Sequence, residues 1–353
     1  MKMKKKTLSN LITYAIVILA FVLCQWLIAS GRMTRSLKGQ MVPICVYVVM
    51  AVSLNLVVGI SGELSLGHAG FMSVGAFAGV IASAWMAGAF AMENELLRLL
   101  LAMVVGGVVA GVAGVLIGIP VLRLRGDYLA IVTLAFGEII RNVLNCRYFS
   151  LEGSRLHVSF NNPNLPGTIL VNGPNGAKDV AKIATFPVGF ALILFTLFVV
   201  LNLINSRSGR AIMASRDNRI AAEAMGINVT KYKMMAFVTS AVLAGMAGAL
   251  YGLNFSTITA AKFKFDTSIL VLVFVVLGGI GNIRGSIIAA ALLTVLPELL
   301  RAFNDYRMLI YAIVLILVML ATNNPTIRGL FTRLVPQKHS GTEIVEAKGG
   351  AEE

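Results

Sequence analysis

Residues 205–252 read NSRSGRAIMASRDNRIAAEAMGINVTKYKMMAFVTSAVLAGMAGALYG, a basic, charge-patterned stretch that runs straight into an apolar helix. Compact proteins usually connect their elements with far fewer residues than the segment 205–233 contains, so this connection calls for a function of its own. Arg207, Arg210, Arg216, Arg219, Lys231 and Lys233 place it on the cytoplasmic side of a membrane, where a soluble partner can dock. Taking 212–226 as one helix puts Arg216, Arg219 and Glu223 within about 60° of one another at ~100° per residue. Ala214, Ala221 and Met225 gather opposite them. Gly226 is placed to stop that helix, and Asn228 to begin the return to the membrane. Such a helix either lies on the bilayer or sits in a groove of a soluble subunit.

The rest of the chain explains why a membrane is invoked. It is 58% apolar and 13% charged, with a mean hydropathy of +0.84, which excludes an ordinary soluble domain. Apolar runs of about 20 residues, the length that crosses a bilayer as a helix, recur along most of it. The expected spans are 11–30, 41–60, 66–90, 99–119, 128–145, 186–204, 234–254, 268–283, 285–300 and 308–322. The fold class is therefore all-α, a polytopic helical membrane protein with about ten transmembrane helices. Gly278-Gly279-Ile280-Gly281-Asn282 breaks the run near 268–300, so an interrupted hairpin or a re-entrant segment is expected there. The net charge of +14 is loop charge that orients a membrane protein, not a nucleic-acid surface.

An even number of spans puts both termini on one side. With the N-terminus inside, the cytoplasmic segments hold 17 Lys and Arg against 12 outside, and Arg141 falls within a span. Residues 1–335 then form the membrane domain, with both ends cytoplasmic and an uncleaved first span. The segment 146–185 is an extracytoplasmic loop rich in Asn, Pro and Gly, with little room for a helix. It is either a tether or a surface for a soluble partner. Residues 336–353 are a polar tail, expected to be disordered.

A few residues inside spans stand out. Gly75/Gly79, Gly107/Gly111, Gly114/Gly118 and Gly248/Gly252 lie four apart, which lets helix backbones approach closely. Glu138 and Arg141 lie three apart on one helix and can pair. An unpaired charge at the bilayer centre costs roughly 2.5–3.5 kcal/mol on insertion scales, so such groups face protein or water. Gly59, Gly62, Gly67 and Gly70 surround Glu63 and His68, suggesting a broken segment of the kind that marks transporter binding regions. His68 itself reads either as a satisfied core histidine or as a gate. Candidate residues for a translocation path are Gly62, Glu63, His68, Glu138, Gly278 and Gly281.

Enzymatic and cofactor motifs are absent. No phosphate-binding loop, nucleophile elbow or zinc helix occurs, and the three histidines and three cysteines lie on separate segments without metal-ligand spacing. The chain is expected to be non-catalytic, with no cofactor or metal of its own. If nucleotide hydrolysis drives it, another chain supplies the hydrolysis. A stand-alone secondary transporter or channel would need ion-coupled acids in its spans, and only Glu138 and Glu298 are candidates.

Four segments together carry a family resemblance: 59–79 (GISGELSLGHAGFMSVGAFAG), 125–144 (RGDYLAIVTLAFGEIIRNVL), 208–252 and 273–293 (VFVVLGGIGNIRGSIIAAALL). With them the chain resembles the permease subunit of branched-chain amino acid ABC importers, of the LivM type. The resemblance implies an inner-membrane importer with a second, LivH-like permease, two cytoplasmic ATPase subunits and an extracytoplasmic solute-binding protein. It also implies that Arg216, Arg219, Ala221, Ala222, Glu223 and Gly226 belong to the segment that meets an ATPase. ABC importer permeases generally carry Glu-Ala-Ala-x-x-x-Gly there; here Ile220 takes the place of the acid while the spacing to Gly226 is kept. Residues 146–153 depart from the Gly-Gly turn usual in the family. Related permeases are thought to carry urea or short amides, so branched-chain amino acids are an expectation with that alternative.

Overall fold

The computed structural model describes residues 2–30, 34–90, 92–124, 126–153, 155–160, 166–300 and 306–323. The tail expected at 336–353 lies outside the described residues. Residues 1–302 form one compact unit; the second, 303–353, contributes the apolar helix α12 (Arg307–Asn323). In the first unit the helices are α1 (Lys2–Ala29), α2 (Arg35–Asn55), α3 (His68–Phe90), α4 (Glu95–Val121), α5 (Asp127–Asn145) and α6 (Phe186–Asn205). They continue as α7 (Arg207–Asp217), α8 (Arg219–Ala224), α9 (Val229–Gly252), α10 (Phe265–Gly278) and α11 (Ile283–Leu299). Every expected span overlaps a helix, though 268–283 outruns α10 and 41–60 ends beyond α2. Among the described residues, six helices are long and apolar enough to cross a membrane, at 35–61, 68–90, 95–121, 128–145, 186–205 and 229–252.

Helix α2 is apolar on nearly all sides, and such a helix is stable only when surrounded. It is: 89% of its most apolar window is buried, with α6, α9, α10 and α11 packed against it. At Leu56 the helix widens into a π-helix that runs to Ser61 and stops at Gly62, whose φ of 75° suits glycine alone. Residues 62–67 are then non-helical until α3 starts at His68.

Of the glycine pairs read from the sequence, Gly75/Gly79 and Gly248/Gly252 bring backbones together, while Gly107/Gly111 and Gly114/Gly118 receive side chains of α9. A Cβ on Gly75 would fall on the Gly245 carbonyl of α9, and one on Gly248 on the Met72 carbonyl of α3. Gly106 of α4 faces Gly75 and Ala249, and Gly79 also faces Ala249. Helices α3, α4 and α9 thus cross at backbone contact, driven by van der Waals packing of small residues.

The region expected at 268–283 and 285–300 is the interrupted hairpin, with α10 ending early, at Gly278. Gly278 and Gly285 abut so closely that neither can carry a side chain, and Asn282 caps α11 by accepting from the Gly285 amide at 3.3 Å.

The segment 146–185 holds more order than its turn formers suggested. Strands β1 (Arg147–Glu152), β2 (Arg155–Phe160) and β3 (Thr168–Asn172) make an antiparallel sheet in the order β2-β1-β3. The turn formers fall between the strands and after them, and Arg147 lies over the Phe160 ring at 3.7 Å. Ala177 exchanges amide hydrogen bonds of 2.9 and 3.0 Å with Ile258, fastening this segment to the residues after α9. Helix α6 separates the sheet from α7 and α8 by 20 residues, about 30 Å at 1.5 Å each.

The single helix expected over 212–226 is two. Asn218 adopts φ −152°, ends α7, and caps α8 by accepting from the Ala221 amide at 3.0 Å. An Asn satisfies a free helix-start amide better than it extends a helix, so the chain turns there. Gly226, at φ 77°, does stop α8, and Asn228 caps α9 by accepting from the Lys231 amide at 3.1 Å.

Gly248→Leu places its side chain inside the Met72 backbone. It is expected to cost about 1–3 kcal/mol or more, seen as a lower Tm of the detergent-purified protein, whereas Gly39→Leu, with open space around it, leaves Tm unchanged.

Candidate functional site

Three interrupted elements meet at one point. Arg216, in the last turn of α7, donates through Nη1 to the Gly59 carbonyl at 2.6 Å, in the π-helix that ends the second span. Its stem lies on Gly62, where any Cβ would displace it. Its Nε and Nη2 also bond Asp217 at 3.2 and 3.1 Å, which holds the guanidinium in place.

Behind Gly59 stands Asn55, fully buried at the end of α2. Its Oδ1 accepts from the Gly281 amide at 2.8 Å, and its Nδ2 donates to Ser286 Oγ at 2.8 Å. A Cβ on Gly59 would collide with both Asn55 Oδ1 and the Gly281 nitrogen. Thus one buried amide ties the π-helix to the α10–α11 turn, and Arg216 ties the same π-helix to α7. A broken backbone buried inside a bundle needs such partners, because each polar group left unpaired there carries a desolvation cost.

Beside this node, Lys233 of α9 donates to the Glu63 carboxylate, with their side chains only 11% and 13% exposed. The pair borders a polar cavity of about 340 Å³ lined by Gly62, Glu63, Leu64, Leu124, Gly126, Arg219 and Lys233. His68 is a satisfied core residue: Ser53 Oγ lies 2.8 Å from its Nε2, and the ring is buried against Phe71. The start of α3 leans on α5, where Thr133 Oγ1 accepts from the Leu66 amide at 3.0 Å and Gly137 faces Gly67 and Gly70. The hydroxyls of Ser61 and Ser65 are buried there without a protein partner. Glu138 follows on α5, paired with Arg141 at 2.6 Å.

The fold therefore gathers Gly62, Glu63, Gly281 and Arg216 at one place. Gly278 sits just behind, at the α10–α11 contact, and Glu138 stands apart on the neighbouring helix. Arg216, expected on one face with Arg219 and Glu223, turns inward instead because the break at Asn218 separates it from them. Arg219 and Glu223 pair with each other at 2.8 Å on α8. Ala222 is buried, while Ala221 is exposed and Ile220 and Met225 are 81% and 82% exposed. Sequence reasoning missed Asn55 and Lys233; an Asn within an apolar helix, and a Lys near the start of another, were the available signals.

A bundle of apolar helices with two interrupted elements joined to a polar outer helix pair has the architecture of a polytopic helical membrane protein. Over residues 37–319 the chain matches the family described as branched-chain amino acid transport system / permease component, and it belongs to that family. It is 34% identical over 311 residues to the high-affinity branched-chain amino acid transport system permease protein LivM of Salmonella typhimurium, covering 78% of this chain and 66% of that one. It thus spans just under two thirds of that relative's length. LivH of the same organism is 32% identical over 145 residues, covering 40% of this chain and 44% of LivH. The nucleoside ABC transporter permease protein NupC of Lactococcus lactis is 26% identical over 220 residues, covering 58% and 64%. No solved structure matches significantly.

Lys233→Met leaves the Glu63 carboxylate unpaired and is expected to cost up to about 3 kcal/mol, at the low end for buried pairs because the polar cavity admits water. Adding Glu63→Gln should recover most of the lost Tm.

Proposed function

We propose that this chain is one permease subunit of a binding-protein-dependent ABC importer carrying branched-chain amino acids across the inner membrane by alternating access. It is non-catalytic, and ATP is hydrolysed by two separate subunits on the cytoplasmic face. A second, LivH-like permease completes the membrane part, and an extracytoplasmic binding protein delivers solute on the side of the β-sheet. The segment 205–233 and both termini are cytoplasmic.

The observation that carries this reading is the Arg216–Gly59 hydrogen bond, which joins an exposed outer helix pair to an interrupted span. An ATPase gripping Ile220 on α8 and Met225 just after it moves α7 with it, since only the Asn218 cap separates the two helices. Arg216 then pulls on the π-helix, and Asn55 passes the displacement to the α10–α11 turn. For that to do work, the ATPase must bind one permease state more tightly than the other. A stand-alone transporter is less well supported, because Glu138 is held in an ion pair. No observation favours the urea or short-amide alternative.

Co-purification of the complex in mild detergent tests the docking step. Ile220→Asp with Met225→Asp is expected to reduce the ATPase recovered with the chain at least tenfold without lowering its own Tm. Recovery equal to wild type would sink the reading of α8 as the dock. Arg216→Ala should keep the ATPase bound yet lower leucine uptake at least tenfold, because the grip remains and the link to Gly59 is lost.

A further inference from the structure

Helix α5 is the least covered of the long apolar helices: only 17% of its most apolar window is buried, against 39% or more for the other five. Yet it carries Glu138 and Arg141, whose side chains are 32% and 22% exposed. Glu138 lies eleven residues into the helix, about 16 Å at 1.5 Å per residue. That is near the middle of a hydrocarbon layer about 30 Å thick. Charges at that depth face protein or a water-filled path, not acyl chains.

The neighbouring positions continue the pattern. At ~100° per residue, Glu138, Arg141, Asn142 and Asn145 fall on one flank of α5. This polar stripe runs from mid-membrane to the β-sheet at Arg147. On an adjoining flank, Thr133, five residues before Glu138, and Gly137, immediately before it, touch the interrupted segment through Leu66 and Gly67, and the buried Ser65 hydroxyl beside Leu66 has no protein partner. The stripe thus reaches the sheet at one end and at the other adjoins the flank of α5 that packs on the broken segment.

Resting on the permease reading above, we propose that Glu138 and Arg141 form a station for a zwitterionic solute on the half of the path nearer the sheet. Glu138 takes the solute's ammonium and Arg141 its carboxylate. With no solute present, the two side chains neutralise each other through bonds of 2.6 and 2.7 Å. A zwitterion exchanges one internal pair for two external ones and leaves no charge unmatched; an anion or cation alone would strand one partner. The depth of the pair excludes a phospholipid headgroup, which carries the same two charges but stays at the bilayer surface.

The test uses the complete importer with its companion subunits, reconstituted in liposomes, and follows ATP-dependent uptake of radiolabelled leucine from saturating loaded binding protein. Replacing both charges, Glu138→Gln with Arg141→Gln, relieves any structural need for the pair, because a neutral pair of similar size keeps packing without buried charge. The variant complex is expected to assemble with unchanged subunit ratios and Tm, yet to transport at least tenfold more slowly. Glu138→Asp, which keeps the charge, should recover part of the rate. Uptake within twofold of wild type in the double variant would assign the pair to structure and overturn the station. If the double variant does not assemble, Glu138→Gln alone decides by the same tenfold and twofold limits, and failure of both to assemble also overturns it. Absence of leucine uptake by the wild-type complex would instead count against the permease reading itself.

Discussion

Backbone groups that leave a helix inside a bilayer must find partners within the protein, and this constraint organises everything else here. The chain breaks α2 into a π-helix, leaves 62–67 non-helical, and turns sharply between α10 and α11. Asn55, at the entry to the π-helix, fastens it to the α10–α11 turn with two hydrogen bonds of 2.8 Å, to Gly281 and Ser286, across 226 and 231 residues of sequence. Gly59, Gly278 and Gly285 are required because the approach that Asn55 enforces leaves no room for a Cβ.

That arrangement also joins the α7–α8 pair to the buried core. Arg216 is the one described side chain of the α7–α8 pair seen to donate to a carbonyl of an interrupted span. Its reach is set by the Asn218 break, which ends α7 and leaves α8 and the residue after it to present Ile220 and Met225 outward. Rigid contact on one side and exposed apolar surface on the other suit a segment that transmits motion. The tightly packed α3–α4–α9 trio supplies the fixed frame against which such motion is measured.

The polar groups of α5 stand in a different relation to that frame. They are not locked to the node; they adjoin it through Thr133 and Gly137, while the remainder of the helix is open in the single chain. The apolar flank of α5 opposite the charges lines a groove of about 510 Å³ with Trp85 and Phe149. One helix thus carries both a charged flank and an apolar one.

Apolar runs of bilayer length fixed the helices from sequence, because at membrane depth a backbone has hardly any alternative to satisfying itself within each segment. Glycines four apart likewise announced close helix contacts, and Gly226 and Asn228 announced a helix stop and start through their own conformational preferences. The β-sheet was not legible, since its strands are short and the Asn, Pro and Gly residues clustered between and after them in 146–185 read as loop. Nor was the break at Asn218, because a helical period fits 212–226 whether or not a cap interrupts it. The destinations of Arg216, Asn55 and Lys233 belong wholly to tertiary structure: each partner lies more than 150 residues away in the chain, where no local pattern reaches.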